Sequence, residues 1–199
     1  MGVSASRDRL TVEITQARSK AHLAAQFASN AVHERANTAR ADQRFATNST
    51  VFGQLLRGEI PSKIMYEDED VVCFRDIRPV SDHHTLVIPK RYIENIGHAT
   101  TDDIELLKHM VNVAEKVLQA EYPLLEPERA RADELLSQGF HRWPMLSVHH
   151  LHLHTIYPMP CKKWYYSWLH PQSYGPLYTS AAKEIKRLAE KQNSDLEIN

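Results

Sequence analysis

The sequence predicts an α+β fold, and three features carry that prediction. Strand patterns come first in the chain, between residues 63 and 89. One long helical pattern follows from Thr100 to Ala120, and a further strand pattern, Ser147 to Tyr157, carries a cluster of histidines. Strands that are grouped in sequence and then followed by a helix favour an α+β layer arrangement. The 199 residues are enough for one core and hardly enough for two.

Residues 1–48 differ in composition from the rest of the chain. They are rich in Ala, Arg, Ser and Asn and contain few large apolar side chains. Such a segment favours helix but lacks the apolar stripe that would dock a helix firmly. We therefore expect a loosely helical or disordered extension over 1–48, a folded domain over 49–192 and a tail over 193–199.

Local patterns predict the elements of the folded domain. The segment from Phe52 to Pro61 has the pattern of a short amphipathic element that a Gly and a Pro bring to an end. Three strands are predicted at Lys63–Glu67, Val71–Asp76 and Thr85–Pro89, with a turn of Pro and polar residues before the third.

The remaining elements include the long helix and a terminal one. Thr100 or Thr101 can cap the long helix, whose apolar stripe consists of Ile104, Leu107, Val111, Ala114 and Leu118. A polar connection over residues 121–144 contains a short helical pattern at 127–136. The helical pattern at 179–192 predicts a C-terminal helix.

Composition excludes several classes of protein. The 24 basic and 25 acidic residues leave no basic stripe, so we expect no nucleic-acid partner. Cys73 and Cys161 make neither a disulfide framework nor a tetrahedral zinc site, and we expect free thiols in a reducing compartment. No apolar run approaches the length of a membrane span, which predicts a soluble, cytoplasmic protein, with the nucleus as a second compartment.

The chain begins with an N-myristoylation pattern, Gly2 with Ser6. An unmodified flexible tail is the favoured interpretation, because the pattern is short. Membrane binding is expected only if Gly2 is acylated, and a single acyl chain binds marginally and reversibly.

The predicted strand at 147–157 contains the candidate catalytic residues. In an extended segment alternate residues share a face, so His150, His152 and His154 point one way, and Leu151 and Leu153 point toward a core. Three imidazoles together are not a core pattern, since burial penalises each of them when it is charged.

Three interpretations of these histidines stay open at this point. They could form a solvated surface row. They could bind zinc, although a third histidine about 13 Å further along the strand is too distant for the same ion and His84 would have to contribute. The favoured interpretation is chemistry on phosphate, because a neutral imidazole is a good nucleophile and its neighbours can orient it and protonate a leaving group.

The sequence resembles the histidine-triad (HIT) superfamily, whose signature alternates histidine with apolar residues. His150–Ile156 matches that signature, and Phe52–Pro61, Phe74–Pro79 and His84–Lys90 are similar to three other family segments in the family's order. Within the superfamily the chain looks like the Hint branch, and the Phe-His, proline, then serine order of residues 140–147 most resembles its third subgroup. The resemblance implies a HIT-like fold, an antiparallel sheet with one long helix and a C-terminal helix.

The resemblance also implies a role for each matching polar residue. His152 would be the nucleophile, and His150 would orient it through its backbone carbonyl. His154 and Ser147 would contact the phosphate or the bridging atom, and His84 would complete the hydrogen-bond network.

A further set would bind the nucleoside. Asp76 would accept hydrogen bonds from the ribose hydroxyls, and an apolar slot for the purine would be lined by Phe52, Leu55, Phe74, Ile77 and Leu86. Thr50 and Gly53 occupy the positions at which many relatives carry two zinc-binding cysteines, so we expect no structural zinc. No Asn lies between Asn112 and the triad, where many relatives place a phosphate-binding one.

The implied activity is hydrolysis of adenosine 5′-phosphoramidates through an adenylyl-histidine, without metal or cofactor, by a homodimer that binds a purine nucleotide. An unperturbed imidazole predicts a rate that falls on the acid side of pH about 6.5. Three alternatives stay open: a dinucleoside polyphosphate hydrolase, a nucleotide-sensing interaction protein with incidental catalysis and, ranked low, a DNA deadenylase. The aromatic segment 161–175 is expected to pack on the core, or else to form a leaving-group wall or a dimer contact.

Overall fold

The computed structural model describes residues 47–144, 146–159 and 177–198. The acylation pattern at Gly2, nearly all of the predicted extension and the aromatic segment 161–175 lie outside the described residues. The helices are α1 (Val51–Leu56), α2 (Ile104–Glu121), α3 (Pro127–Ala132) and α4 (Ala181–Ile198). The strands are β1 (Ile64–Glu67), β2 (Val71–Arg75), β3 (His83–Pro89), β4 (Ser137–His141), β5 (Leu153–Tyr157) and β6 (Tyr178–Ser180).

The strands form one six-stranded sheet in the order β1-β2-β3-β5-β4-β6. Each strand runs antiparallel to its neighbours, which confirms the predicted α+β class with an antiparallel sheet. The pairing of β3 with β5 places Leu86 opposite His154 and His84 opposite Ile156. The two strands that carry candidate site histidines are therefore adjacent in the middle of the sheet.

The two faces of the sheet are covered by different helices. Val71, Cys73 and Val87 lie in the larger apolar cluster, together with Leu107 and Met110 of α2. Their strand neighbours Val72, Phe74, Leu86 and Ile88 form a second cluster with Phe52 of α1. Because alternate residues of a strand point to opposite faces, α2 covers one face and α1 the other. Most of the predicted stripe of α2 is buried, and Val111 is only partly buried.

The structure corrects three predicted elements. The predicted strand 147–157 is extended in the sheet only from Leu153 onward, because residues 147–150 form bends. The predicted connection 121–144 contains β4, which has no alternating apolar pattern. The C-terminal helix begins at Ala181 rather than Thr179, since residues 178–180 pair with β4, and it continues to Ile198, beyond the predicted end at residue 192.

The long helix begins close to its predicted start. A 3₁₀ turn at Thr101–Asp103 precedes α2, and the backbone N–H of Thr100 donates to the Asp103 carboxylate at 2.7 Å. In the part of the chain that the structure describes, every helix is too short or too polar to cross a membrane.

Candidate active site

The three histidines of the predicted triad are all buried, with exposed fractions of 0 to 6%. Only His154 lies within β5; His152 immediately precedes that strand, and His150 lies in the bend before it. The prediction of one continuous strand through all three is therefore wrong. Leu151 and Leu153 nevertheless both lie in the cluster that faces α2, so the chain alternates sides as an extended strand would.

His152 is held in one tautomer by its neighbour in the chain. Its Nδ1 lies 2.7 Å from the backbone carbonyl oxygen of His150. A carbonyl oxygen only accepts hydrogen bonds, so Nδ1 carries the proton and Nε2 keeps its lone pair. Burial lowers the pKa of His152 below its usual 6.5, although the His150 carbonyl and Asp76 oppose that shift. The ring is therefore neutral at pH 7 and has a nucleophilic nitrogen.

His150 is fixed at both ring nitrogens. Its Nε2 donates to the carbonyl oxygen of Pro89 at 2.9 Å, and its Nδ1 lies 2.8 Å from the side-chain amide nitrogen of Asn48. Burial lowers the pKa of His150 to about 4, while the Pro89 carbonyl raises it. His150 is therefore also neutral at pH 7.

His84 and His154 make a second pair of imidazoles. The backbone N–H of Val80 donates to Nδ1 of His84 at 3.3 Å, so the proton of the neutral ring lies on Nε2. That Nε2 lies 3.0 Å from Nδ1 of His154 and 3.6 Å from a carboxylate oxygen of Asp76. Burial lowers the pKa of His84 to about 4, against the opposing effect of Asp76. Since Nδ1 of His154 accepts from His84, the proton of neutral His154 lies on Nε2.

The two pairs of histidines are in contact through the rings of His152 and His154. The ring centroids of His152 and His154 are 4.9 Å apart, and Phe52 packs edge-on against His152 with centroids 5.3 Å apart. The ring of His152, with a lone pair on Nε2, thus packs against the ring of His154, with a proton on Nε2. Such an arrangement can deliver a nucleophile and an acid to the same substrate.

The other polar residues of the predicted site are placed differently. Asp76 lies beside His84, and its other carboxylate oxygen accepts from the backbone N–H of Arg78 at 2.7 Å. Ser147 is exposed in the bend before His150, so the structure does not bring its hydroxyl into the histidine cluster.

The predicted apolar slot is in large part a packed cluster. Phe52, Phe74 and Leu86 are buried in the α1-facing cluster, and Leu55 packs against it. Ile77 does not join them, because its residue surface is 91% exposed. The structure therefore brings together four of the five residues predicted to line the slot.

Two residues of the site were not identified from sequence. His141, at the end of β4, packs edge-on against His154 with ring centroids 4.7 Å apart. Asn48, at the end of the predicted extension, is 6% exposed and contacts His150. His141 is one of five histidines between residues 141 and 154. Because strand β4 was not predicted, the sequence did not indicate that the His141 side chain faces the triad. Nothing in the sequence marked Asn48.

A divalent metal is the alternative occupant of this region. The donor atoms of Asp76, His84 and His154 lie within 4.8 Å of one another. A metal at Nε2 of His84 would require the ring proton on Nδ1, where it would face the backbone N–H of Val80. The observed hydrogen bonds therefore favour a proton relay between the two imidazoles over metal ligation.

Comparison with known proteins gives a consistent result. The family described as scavenger mRNA decapping enzyme C-term binding matches residues 49–165. The chain is similar to the adenosine 5′-monophosphoramidases HINT3 of Xenopus tropicalis (36% identity over 100 residues, 50% of this chain and 61% of that protein) and of Danio rerio (41% over 97 residues, 49% and 56%). It is also similar to an uncharacterised HIT-like protein of Synechococcus elongatus (36% over 110 residues, 55% and 90%). The chain thus matches less than two thirds of the length of either HINT3 protein.

Proposed function

The chain belongs to the histidine-triad superfamily, and we propose that it hydrolyses the P–N bond of adenosine 5′-phosphoramidates, with His152 as the nucleophile. The observation that carries this proposal is the hydrogen bond from Nδ1 of His152 to the His150 carbonyl, 2.7 Å long, which leaves the lone pair on Nε2. The names of the two vertebrate relatives support the choice of substrate.

In the first step, Nε2 of His152 attacks the α-phosphorus and forms a P–N bond to the enzyme. The bond from phosphorus to the leaving amine breaks, and its electron pair goes to the amine nitrogen. That nitrogen takes a proton from Nε2 of His154, since an unprotonated amide ion is a very poor leaving group. A proton from solvent replaces it in the His84–His154 pair, so that neither ring is left as an imidazolate. The positive charge that develops on His152 is stabilised by the His150 carbonyl, which accepts from Nδ1.

In the second step, water attacks the adenylyl-histidine. The His84–His154 pair accepts a proton from that water and returns one proton to solvent, and the P–N bond to His152 breaks to release AMP. Atoms and charge balance over the cycle, because one proton is taken from solvent when the amine leaves and one is returned when water attacks. His84 supports both steps, since its Nε2–H donates to Nδ1 of His154 at 3.0 Å and keeps the exchangeable proton on the far nitrogen.

We assign substrate contacts to the remaining residues of the predicted site. Asp76 accepts from the ribose hydroxyls. Ser147, which is exposed outside the histidine cluster, contacts the part of the phosphate or the leaving group that projects from that cluster. The purine occupies the side of the site formed by α1 and its apolar cluster, where Ile77 offers an exposed apolar side chain. Binding there requires the packed side chains to separate or the base to lie over them.

The test is AMP release from an adenosine 5′-phosphoramidate in excess EDTA. Wild type should turn over, and His152→Ala should not. His149→Ala is the matched control, because His149 is exposed and contacts Glu94 rather than the triad. Turnover of diadenosine polyphosphates but not of the amidate would favour the polyphosphate hydrolase. AMP binding without turnover of either substrate would contradict the enzymatic proposal and favour a nucleotide sensor.

We further propose that the protein acts as a homodimer, which rests on the family resemblance. Size-exclusion chromatography with light scattering should give twice the 22.9 kDa chain mass. A single species at the chain mass would contradict the dimer and leave the proposed chemistry unaffected, because every hydrogen bond of the relay lies within one chain.

A further inference from the structure

Asn48 contacts the triad from outside the segment that the family comparison matches, which begins at residue 49. We propose that Asn48 is a positioning residue: its side-chain amide fixes the tautomer of His150 and so holds the carbonyl that orients His152. The catalytic part of this proposal rests on the proposed function, and the tautomer part does not.

The orientation of the Asn48 amide follows from its partners. Its Oδ1 lies 3.1 Å from the backbone N–H of Thr50 and 2.7 Å from the Thr50 hydroxyl. A backbone N–H can only donate, so the atom facing it is the amide oxygen. The amide nitrogen therefore faces Nδ1 of His150, at 2.8 Å.

This orientation decides where His150 carries its proton. An amide NH₂ only donates, so Nδ1 of His150 must be the acceptor and Nε2 must hold the proton. The Pro89 carbonyl accepts from that Nε2 at 2.9 Å, which demands the same tautomer independently. The ring is thus held between two partners in the bend before β5, and the carbonyl of the same residue is the acceptor for His152.

The start of α1 holds Asn48 in place. A Cβ on Gly53 would lie 2.1 Å from the Asn48 carbonyl oxygen and 2.7 Å from its side-chain carbon, so only glycine allows this close approach. Arg57 donates to the same carbonyl at 2.8 Å. The Thr50 hydroxyl accepts from the backbone N–H of Gly53 and so caps the helix while it bonds Asn48. The tautomer of His150 is thereby tied to the position of α1.

The most direct variant is Asn48→Asp, which keeps the shape and the acceptor for Thr50 but replaces the donor with a carboxylate oxygen. His150 would then gain a proton on Nδ1 while Nε2 continues to donate to Pro89. A positive His150 opposes the positive charge that develops on His152 during attack, because the two rings interact electrostatically. Asn112→Asp is the control, since Asn112 is an exposed residue of α2 and the charge change is the same.

Two readouts separate positioning from a structural role. The first is the nitrogen NMR spectrum of the histidine side chains at pH 7.5. Wild type should show His150 protonated on Nε2 alone, and Asn48→Asp should show protons on both nitrogens. The second is steady-state turnover: kcat should fall about tenfold with KM within about twofold, and kcat should recover as alkaline pH removes the added proton. Asn112→Asp should match wild type in both readouts.

Several results would overturn the proposal. Wild-type His150 protonated on Nδ1, or Asn48→Asp with an unprotonated Nδ1, contradicts the tautomer assignment. A doubly protonated His150 with unchanged kcat contradicts the positioning role. If Asn48→Asp does not fold, Asn48→Ala takes its place. The Pro89 carbonyl still requires the Nε2–H tautomer in that variant, but the ring has lost one of its two partners, so kcat should fall with KM little changed. An unchanged kcat would contradict the positioning role. If wild type has no turnover, the proposed function fails, while the NMR spectra still test the tautomer.

Discussion

At the scale of single residues, the site depends on which ring nitrogen of each histidine carries a proton. The backbone carbonyls of Pro89 and His150 can only accept hydrogen bonds, so the ring nitrogen that faces each of them must carry a proton. The backbone N–H of Val80 and the side-chain NH₂ of Asn48 can only donate hydrogen bonds, so the ring nitrogen that faces each of them carries no proton. These four contacts, together with the contact between Nε2 of His84 and Nδ1 of His154, are enough to assign the ring proton of each of the four histidines without reference to a substrate.

The first prediction at this scale concerns the pH at which activity declines on the acid side. Since burial lowers the pKa of His152 below 6.5, more than half of the protein still has an unprotonated Nε2 at that pH. The midpoint of the acid decline of kcat/KM should therefore lie below pH 6.5, which revises the limit expected from an unperturbed imidazole. A profile with its midpoint at or above pH 6.5 would contradict the burial of the nucleophile.

The role of His154 as acid is the second prediction. His154→Ala should reduce kcat on an adenosine phosphoramidate of an alkylamine by about 100-fold or more, the range typical of general acids. The loss should be much smaller on an adenylyl ester with an acidic phenol, because a phenolate leaves without a proton. The measurement is kcat for both substrates on the variant and on wild type. Equal losses on the two substrates would assign His154 to phosphate binding rather than to proton transfer.

At the scale of elements, the close pairing of β4 with β6 gives a third prediction. A Cβ on Gly139 would lie 2.3 Å from the Thr179 carbonyl oxygen and 2.7 Å from the Tyr178 ring. Gly139→Ala should therefore destabilise the protein by about 1–3 kcal/mol, the usual cost of overpacking. The measurement is the free energy of unfolding in urea.

Gly97→Ala is the control for that substitution. Gly97 is exposed, and its Cβ would meet only a side-chain oxygen of Asn95 at 3.0 Å. We expect a change within about 0.5 kcal/mol. Equal effects of the two substitutions would show that β6 does not pack against β4 as described.

The elements also show which patterns of the sequence are informative. The stripe of α2 follows its apolar periodicity, because the helix has one buried face. Strands β2 and β3 are predictable as short, mainly apolar runs, because both of their faces are buried. Strand β4 escapes prediction because its sequence, Ser-Gln-Gly-Phe-His, has a single large apolar residue and is buried through its position between β5 and β6. Residues 179 and 180 belong to the helical pattern of the sequence, but they pair with β4 as part of β6.

At the scale of the whole molecule, the buried neutral histidines make stability depend on pH. His84 and His150 have pKa values of about 4 in the folded protein and about 6.5 in the unfolded chain. Between these values the unfolded chain binds more protons, so stability is lost as pH falls. From pH 7 to 5.5 the two groups should remove about 2 kcal/mol from the free energy of unfolding.

Urea denaturation at the two pH values measures that loss. His84→Asn should lose part of the pH dependence, because one titrating group is gone while the buried His150 and His152 remain. A free energy of unfolding that is independent of pH over this range would contradict the buried, neutral state of both rings.

The sequence was sufficient to predict that the three histidines lie together and insufficient to predict which residues surround them. Alternation of His and Leu correctly placed the leucines in the core, because that pattern is local. The contacts of Asn48 with His150, 102 residues apart, and of His141 with His154 depend on tertiary packing and have no local signal. Ile77 and Ser147 are exposed, which no periodicity within a turn or a bend could indicate.

The covalent intermediate is the most direct test of the whole account. Wild type is mixed with an adenosine 5′-phosphoramidate, quenched within one turnover under conditions that preserve phosphoramidates, digested and analysed by mass spectrometry. We predict one adenylyl group on Nε2 of His152, absent from His152→Ala and present in the His149→Ala control. Turnover without any adduct, or an adduct on another residue that persists in His152→Ala, would contradict the claim that His152 is the nucleophile.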